Sequence, residues 1–278
     1  MLMYKKEKTY RAYNLLLKYF PNTLSLIDQK YDFSVLDERF DRILADDAIS
    51  NKPRETNIID FTIFCEQNNL FHIELAKFLD GLVKEAVETL GAKFKKGLRN
   101  AFKGKLTNYS SWNYLNPFGE IISLLTILKN DNYNLLEIEH RIPNGKKLDF
   151  LFATTNKSKI AVEVINLHPQ DTYTNISELE NDLLGKLKDK IEIESEGIEF
   201  DKLQFTWTYL PVLWSIDLKS LLPFKDYFER FETAPMRYKD KGIFILGFTS
   251  FVQHIDDNTG KRFFEYGYVT KLLDKISI

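Results

Sequence analysis

Three stretches between residues 134 and 167 decide how this chain folds. They are Leu136-Glu137-Ile138-Glu139-His140-Arg141-Ile142, Lys147-Leu148-Asp149-Phe150-Leu151-Phe152 and Ile160-Ala161-Val162-Glu163-Val164-Ile165-Asn166-Leu167. The first alternates polar with apolar residues, and the other two are dense in β-branched and aromatic side chains, so all three read as strands. Pro143-Asn144-Gly145 joins the first to the second, and Asn-Gly between such runs is a strong hairpin signal. The polar turn Thr155-Asn156-Lys157-Ser158 joins the second to the third. A three-stranded antiparallel meander is predicted.

Outward from the meander, Asn116-Pro117 announces a helix over about 117–129, since Asn caps well and Pro suits the first helical position. Ile121, Ile122, Leu124, Leu125, Ile127 and Leu128 surround that helix with apolar groups, which predicts burial on most sides. Downstream, Ser177-Glu178-Leu179-Glu180 matches a capping box and predicts a helix to about Ile191. Leu203–Trp214 and Lys241–Leu246 read as further strands, Phe263–Val269 as a last strand, and 270–277 as a short helix.

The first hundred residues carry helical spacing. Tyr10, Tyr13, Leu16, Leu17 and Phe20 mark a helix over 8–20 that Pro21 ends, and Leu36, Phe40, Ile43 and Leu44 mark another over 34–46. Leu75, Phe78, Leu82, Ala86, Leu90, Phe94, Leu98 and Phe102 continue the pattern from about Ile73 to Phe102, weakened at Gly81 and Gly91. Residues 105–115 read as a linker or loop. The expected fold is therefore α+β, with a helical N-terminal region (1–110) followed by a mixed β-sheet flanked by helices (111–278). No repeat or low-complexity tract is present.

Of 278 residues, 44% are hydrophobic and 28% charged, which excludes a disordered chain. Net charge is −2, so any affinity for nucleic acid must come from a local patch. One is available: Lys93, Lys95, Lys96, Arg99, Lys103 and Lys105 stand within 13 positions that hold no acid. With Phe94, Leu98 and Phe102 inward, these cations would form an outward strip suited to phosphate-backbone contact, or a merely solvated helix face. The single cysteine, Cys65, lies in the apolar run Phe61–Cys65; it excludes an internal disulfide and a Cys-rich zinc site and reads as a buried thiol. No stretch of roughly 18 apolar residues occurs and the N-terminus lacks an apolar signal core, so a cytoplasmic protein without a membrane span is expected.

The chemistry concentrates in acids. Glu163 stands inside an apolar strand, where a charge is costly unless balanced. A divalent cation such as Mg²⁺, which takes a few carboxylates and keeps several waters, is one such balance. Neighbouring strands would bring Asp149 beside Glu163, and a metal held there would neutralise a phosphate, orient a water and stabilise a leaving oxygen.

The order helix, meander, helix, strand with Asp149 and Glu163 on adjacent strands resembles the core of the PD-(D/E)XK nuclease superfamily, which includes type II restriction enzymes. The likeness covers roughly residues 116–215. It implies a restriction-endonuclease-like sheet and a Mg²⁺- or Mn²⁺-dependent endonuclease acting on DNA, double-stranded by expectation, in restriction, defence or mobile-element biology. By analogy with restriction-type relatives, which are often dimers, it also implies a homodimer. The implied metal ligands are Asp149, Glu163 and, from the preceding helix, Glu120. The family's lysine, two residues after the second acid, is replaced here by Ile165, which parity places on the same face as Glu163. Some members take that lysine from the following helix. Lys190 borders the apolar face of that helix and is the first candidate, Lys186 the second, while Asn166 and His168 fall on the other face.

Each residue also has a plainer reading. Asp149 suits a strand-edge pair with Lys146 or Lys147, Glu163 a structural salt bridge, Glu120 a complement to the helix N-terminus, and Lys190 a snorkelling surface lysine. His140 and His168 have no metal-ligand spacing. A non-catalytic nuclease-like protein that binds nucleic acid or a protein partner is the alternative function.

Overall fold

The computed structural model describes residues 11–27, 33, 37, 58–106, 115–170, 172–214, 216–233, 236–238, 243–256 and 259–276. The helix expected over 34–46 and most of the linker at 105–115 lie outside the described residues. The chain forms two compact units, Met1–Phe118 and Gly119–Ile278.

In the first unit, α1 (Arg11–Tyr19), α2 (Pro21–Ile27), α3 (Ile58–Glu66), α4 (Leu70–Leu90) and α5 (Ala92–Leu106) precede the start of α6 (Asn116–Leu128). Pro21 ends α1 and opens α2 in the same step, because it lacks the N–H a continuing helix needs but fits a first helical position. The orphan amides at that start are met from far along the chain. The Asp80 carboxylate accepts from Thr23 N (2.8 Å) and Asn22 N (3.1 Å), and from both of those side chains. The long 73–102 pattern is two helices: Gly91, at φ 67°, donates its N–H to Val87 O and turns the chain. Phe20, Phe61, Phe102 and Phe118 build the aromatic core of this unit. Cys65 is buried there, and burial pushes its thiol up to about 12.

Among the described residues, the second unit holds a mixed eight-stranded sheet with helices. After α6 come β1 (Tyr133–Arg141), β2 (Lys147–Thr154), β3 (Lys159–Leu167), α7 (Ile176–Glu194) and β4 (Thr206–Leu213). They are followed by α8 (Lys225–Thr233), β5 (Met236–Tyr238), β6 (Ile243–Ile245), β7 (Thr249–Ile255), β8 (Arg262–Tyr268) and α9 (Val269–Ile276). The order is β1-β2-β3-β4-β6-β5, with β7 pairing β4 and β8. β1–β2 and β2–β3 are antiparallel, while β3–β4 is parallel, with α7 as the crossover. The β1–β2 turn closes at Ile142–Gly145, where Gly145 takes φ 83°. That is the conformation that makes glycine useful there.

β4 is buried along almost all its length, as a strand flanked on both sides and covered on both faces must be. Pro211 sits inside it, which a continuous central ladder would not allow. The neighbour on that side changes around it: Trp207–Tyr209 pair with β6, and Val212 pairs with Thr249 of β7.

One sheet face packs on α7 through Leu151, Ala161, Ile165, Leu167, Trp207, Tyr209 and Leu213 against Leu179, Leu183, Leu187 and Ile191. Those helical residues recur at a strict four-residue step, which keeps them on one stripe. The α7 cap falls two residues before the expected Ser177–Glu180 box. Asn175, in extended backbone, accepts from Glu178 N (3.0 Å), and Glu178 reaches back to Thr174 N (2.9 Å). Ser177 and Glu180 are thereby interior to the helix, which runs on to Glu194. The opposite sheet face, carrying Asn166, meets α6: a Cβ added to Gly119 would lie 1.9 Å from Asn166 Oδ1. Glu120 falls beyond the first turn of α6, since that helix begins at Asn116.

Candidate functional site

The β2–β3 ladder runs from Ala153↔Lys159 to Phe150↔Val162 and stops. Beyond that point β2 continues to pair with β1 as far as Lys147, and β3 with β4 as far as Leu167. At the fork, main-chain amides turn to side chains. Asp149 N donates to Glu163 Oε2 (3.2 Å), and Val164 N donates to Asp149 Oδ2 (2.8 Å). The two acids are thus interlocked, each carboxylate bound to the backbone at or next to the other.

Lys190 enters from α7. Its Nζ donates to Glu163 Oε1 (2.9 Å) and to Val164 O (3.3 Å), and stands 3.6 Å from Glu194 Oε1. Glu194 Oε2 in turn accepts from the Tyr209 hydroxyl (2.9 Å), and Tyr209 lies directly opposite Glu163 in the β3–β4 register. The C-terminus of α7 is tied to the β1–β2 turn, with Asn144 Nδ2 donating to Glu194 O and Glu196 O (both 3.1 Å) and the Lys146 ammonium to Ile193 O.

Glu163 is only 6% exposed. Burial pushes its carboxyl well above the ordinary range, and the negative charge of Asp149 pushes it further; Lys190 opposes this without cancelling it. At Lys190 burial works against the charge, but the carboxylates of Glu163, Glu194 and Asp149 outweigh it and hold the ammonium's pKa above its ordinary value. The Tyr209 phenol is raised by burial first and by Glu194 second. Glu163 and Glu194 both lie against the Lys190 ammonium, and the negative charge of Asp149 acts on Glu163 as well.

The structure therefore brings Asp149, Glu163 and Lys190 together. Glu120 is buried on α6. Among the described residues no group of three or more His, Cys, Asp or Glu side chains is gathered as a metal centre. The three-acid set of Glu120, Asp149 and Glu163 is accordingly not assembled. Ile165, at the position of the motif lysine, is 5% exposed in the apolar layer beneath α7. Lys186 is engaged elsewhere, with Asp182 (2.8 Å) and His168 O (2.8 Å). Lys147 pairs with Glu139 (3.0 Å).

Of the basic strip, Lys93 and Lys96 are exposed on α5, Lys95 and Arg99 are half-buried, and Arg99 Nε donates to Leu26 O (2.9 Å). The side chains of Lys103 and Lys105 lie outside the described residues. Glu194 and Tyr209 were not singled out by sequence. Lys190 and Glu194 have the four-residue spacing of a helical pair, but the expected helix stopped near Ile191, short of Glu194; Tyr209 became visible only through the strand register.

Fork, carboxylate pair and helix-borne lysine define an α+β unit with a buried acid–lysine site. No protein-family profile matches the chain. No curated protein matches it either. Among solved structures it is similar to Pyrococcus furiosus SfsA in complex with Ca²⁺, at 11% identity and a TM-score of 0.23, over 54% of this chain and 60% of that one. No helix among the described residues is long and apolar enough to cross a membrane.

Proposed function

We propose that the Gly119–Ile278 unit is a metal-dependent phosphodiesterase of the PD-(D/E)XK kind, an endonuclease acting on DNA, with Asp149 and Glu163 as metal ligands and Lys190 in place of the strand lysine. The observation that carries this reading is Lys190 Nζ at 2.9 Å from Glu163 Oε1, beside an acid on the neighbouring strand. The donors fit Mg²⁺ or Mn²⁺, hard cations that accept carboxylate and carbonyl oxygens and need few protein ligands. Asp149, Glu163 and the Val164 carbonyl would hold the ion, and the negative charge that Asp149 and Glu194 bring to bear on Glu163 is of the sign a divalent cation relieves. Bound there, such an ion supplies charge neutralisation at a phosphate and lowers the pKa of a water.

The protein's own groups do the rest. Lys190 presents an ammonium beside both carboxylates, placed to hold a water or a phosphate oxygen by charge-assisted hydrogen bonds. The apolar layer of Ile165, Leu183 and Leu187 beneath it excludes bulk water and strengthens those interactions. Lys93, Lys95, Lys96 and Arg99, with Lys103 and Lys105 further along the same helix, are proposed to contact nucleic-acid phosphates without regard to sequence.

A second reading has its own observation. Ile165 stands where the motif lysine belongs, and Glu163 is already charge-paired, as in a non-catalytic nuclease-fold protein. Calorimetric Mn²⁺ titration, run beside cleavage of plasmid DNA and of RNA, separates the two. The catalytic reading expects binding at millimolar concentration or tighter and metal-dependent cleavage, both lost in Asp149→Ala and Glu163→Ala. Undiminished cleavage in both variants would overturn the assignment of these residues, and no Mn²⁺ binding near millimolar would select the non-catalytic form.

A further inference from the structure

A lysine two residues after an acid on the same strand is positioned by the sheet. A lysine supplied by a helix is not: four rotatable bonds separate its ammonium from the backbone, and ordering them is entropically unfavourable. The Lys190 side chain is 36% exposed, so packing alone does not immobilise it. Something else must hold Nζ at the Glu163 carboxylate.

We infer that Glu194 and Tyr209 are positioning residues that hold the Lys190 ammonium against Glu163. This rests on the proposed reading of Glu163 as the site acid. Tyr209 is the fixed point. It is 0% exposed, its ring lies stacked on Trp207 at 6.0 Å and 20°, and its strand position is opposite Glu163 itself. The Tyr209 hydroxyl donates to Glu194 Oε2 at 2.9 Å, which leaves Oε1 of the same carboxylate turned to Lys190 Nζ at 3.6 Å. The Glu194 backbone is held as well, because Asn144 Nδ2 donates to its carbonyl at 3.1 Å. Glu163, Lys190, Glu194 and Tyr209 thus form a closed ring in which two members come from adjacent strands and two from successive turns of α7. An ordinary exposed i,i+4 pair has no such anchor and contributes little. Here one carboxylate oxygen is fixed by a rigid phenol, so the other restricts where the lysine can go.

The test uses Tyr209→Phe, which removes one oxygen atom, and Glu194→Gln, which keeps size and hydrogen bonding but removes the charge. Lys190 is followed by reductive methylation of the full chain and peptide mapping, with exposed Lys188 on the same helix as internal reference. The Lys190/Lys188 labelling ratio is expected to rise about three- to tenfold in both variants, the effect of losing one net hydrogen bond or ion pair. Thermal melting confirms that both remain folded. In cleavage assays kcat is expected to fall with KM unchanged, because the tethered group does not itself enlarge the binding surface. An unchanged labelling ratio in either variant overturns the inference, as does a raised ratio with unaltered kcat. If labelling responds but the wild-type protein cleaves neither DNA nor RNA with Mg²⁺ or Mn²⁺, the nuclease reading fails and the tether stands.

Discussion

Replacing Lys190 by Met keeps the aliphatic length of the side chain and removes its charge, leaving Glu163 and Glu194 facing each other across the ring. Removing one partner of a fully buried ion pair costs about 3–5 kcal/mol. The lysine side chain is 36% exposed against 9% for that of Glu163, so solvent screens part of the loss and about 2 kcal/mol at pH 8 is expected. The pH dependence carries the sharper signature. Burial and Asp149 hold the Glu163 carboxyl in the folded state well above its ordinary value of 4.5. Between those two values the folded state keeps a proton that the unfolded state has lost. Stability therefore falls as pH rises through that window, and the penalty is complete above the folded-state pKa. Losing Lys190 raises the folded-state value further and widens the window. Lys190 itself, with its pKa raised, stays charged throughout and contributes nothing to the slope below 10.5. The cost of Lys190→Met should accordingly be smaller near pH 4, where Glu163 is protonated in both proteins, than at pH 8. Urea unfolding followed by tryptophan fluorescence reads this, since Trp207 and Trp214 are both buried in this unit. Adding Glu163→Gln to Lys190→Met should recover most of the loss at pH 8. A cost below about 0.5 kcal/mol at pH 8, the scale of an exposed pair, or an equal cost at both pH values, would refute the reasoning.

Restoring a lysine at the motif position should not help. Ile165→Lys would bury an ammonium in the layer of Leu183 and Leu187, at a cost of about 3 kcal/mol or more, and a melting temperature equal to wild type would contradict the packing described. Gly119→Ala places a methyl group 1.9 Å from Asn166 Oδ1 and should lower stability by about 1–3 kcal/mol in urea denaturation; it should also disturb the 2.6 Å bond that Trp214 Nε1 donates to that oxygen, seen as a shift in tryptophan emission.

The meander was legible because its information is local: strand alternation, an Asn-Gly turn and hydrophobic runs act over a few residues. The two acids were legible because a charge in an apolar strand needs a partner wherever the strand lies. Short-range patterning was less reliable at element ends. The α7 cap moved from Ser177 to Asn175, since several residues there can cap and only the chain's entry angle chooses among them. The pattern over 73–102 hid a break that the left-handed backbone at Gly91 supplies. Strands β5 and β7 and helix α8 were not anticipated; β5, three residues at the end of the sheet order, is too short to show a periodicity.

By itself, then, the amino-acid order determined the αβββαβ succession of the second unit and the presence of Asp149, Glu163 and a lysine-bearing helix nearby. Only tertiary structure decided which groups meet. It set the fork at which β2 parts from β3, the contact of Lys190 with Glu163 while Lys186 turns to Asp182 and His168 O, and the link from Glu194 to Tyr209. In the first unit it likewise set Asp80 as the cap of a helix that begins 59 positions earlier, at Pro21. These are contacts between residues distant in sequence, and nothing in local periodicity encodes a distance between two side chains that the chain brings together only by folding.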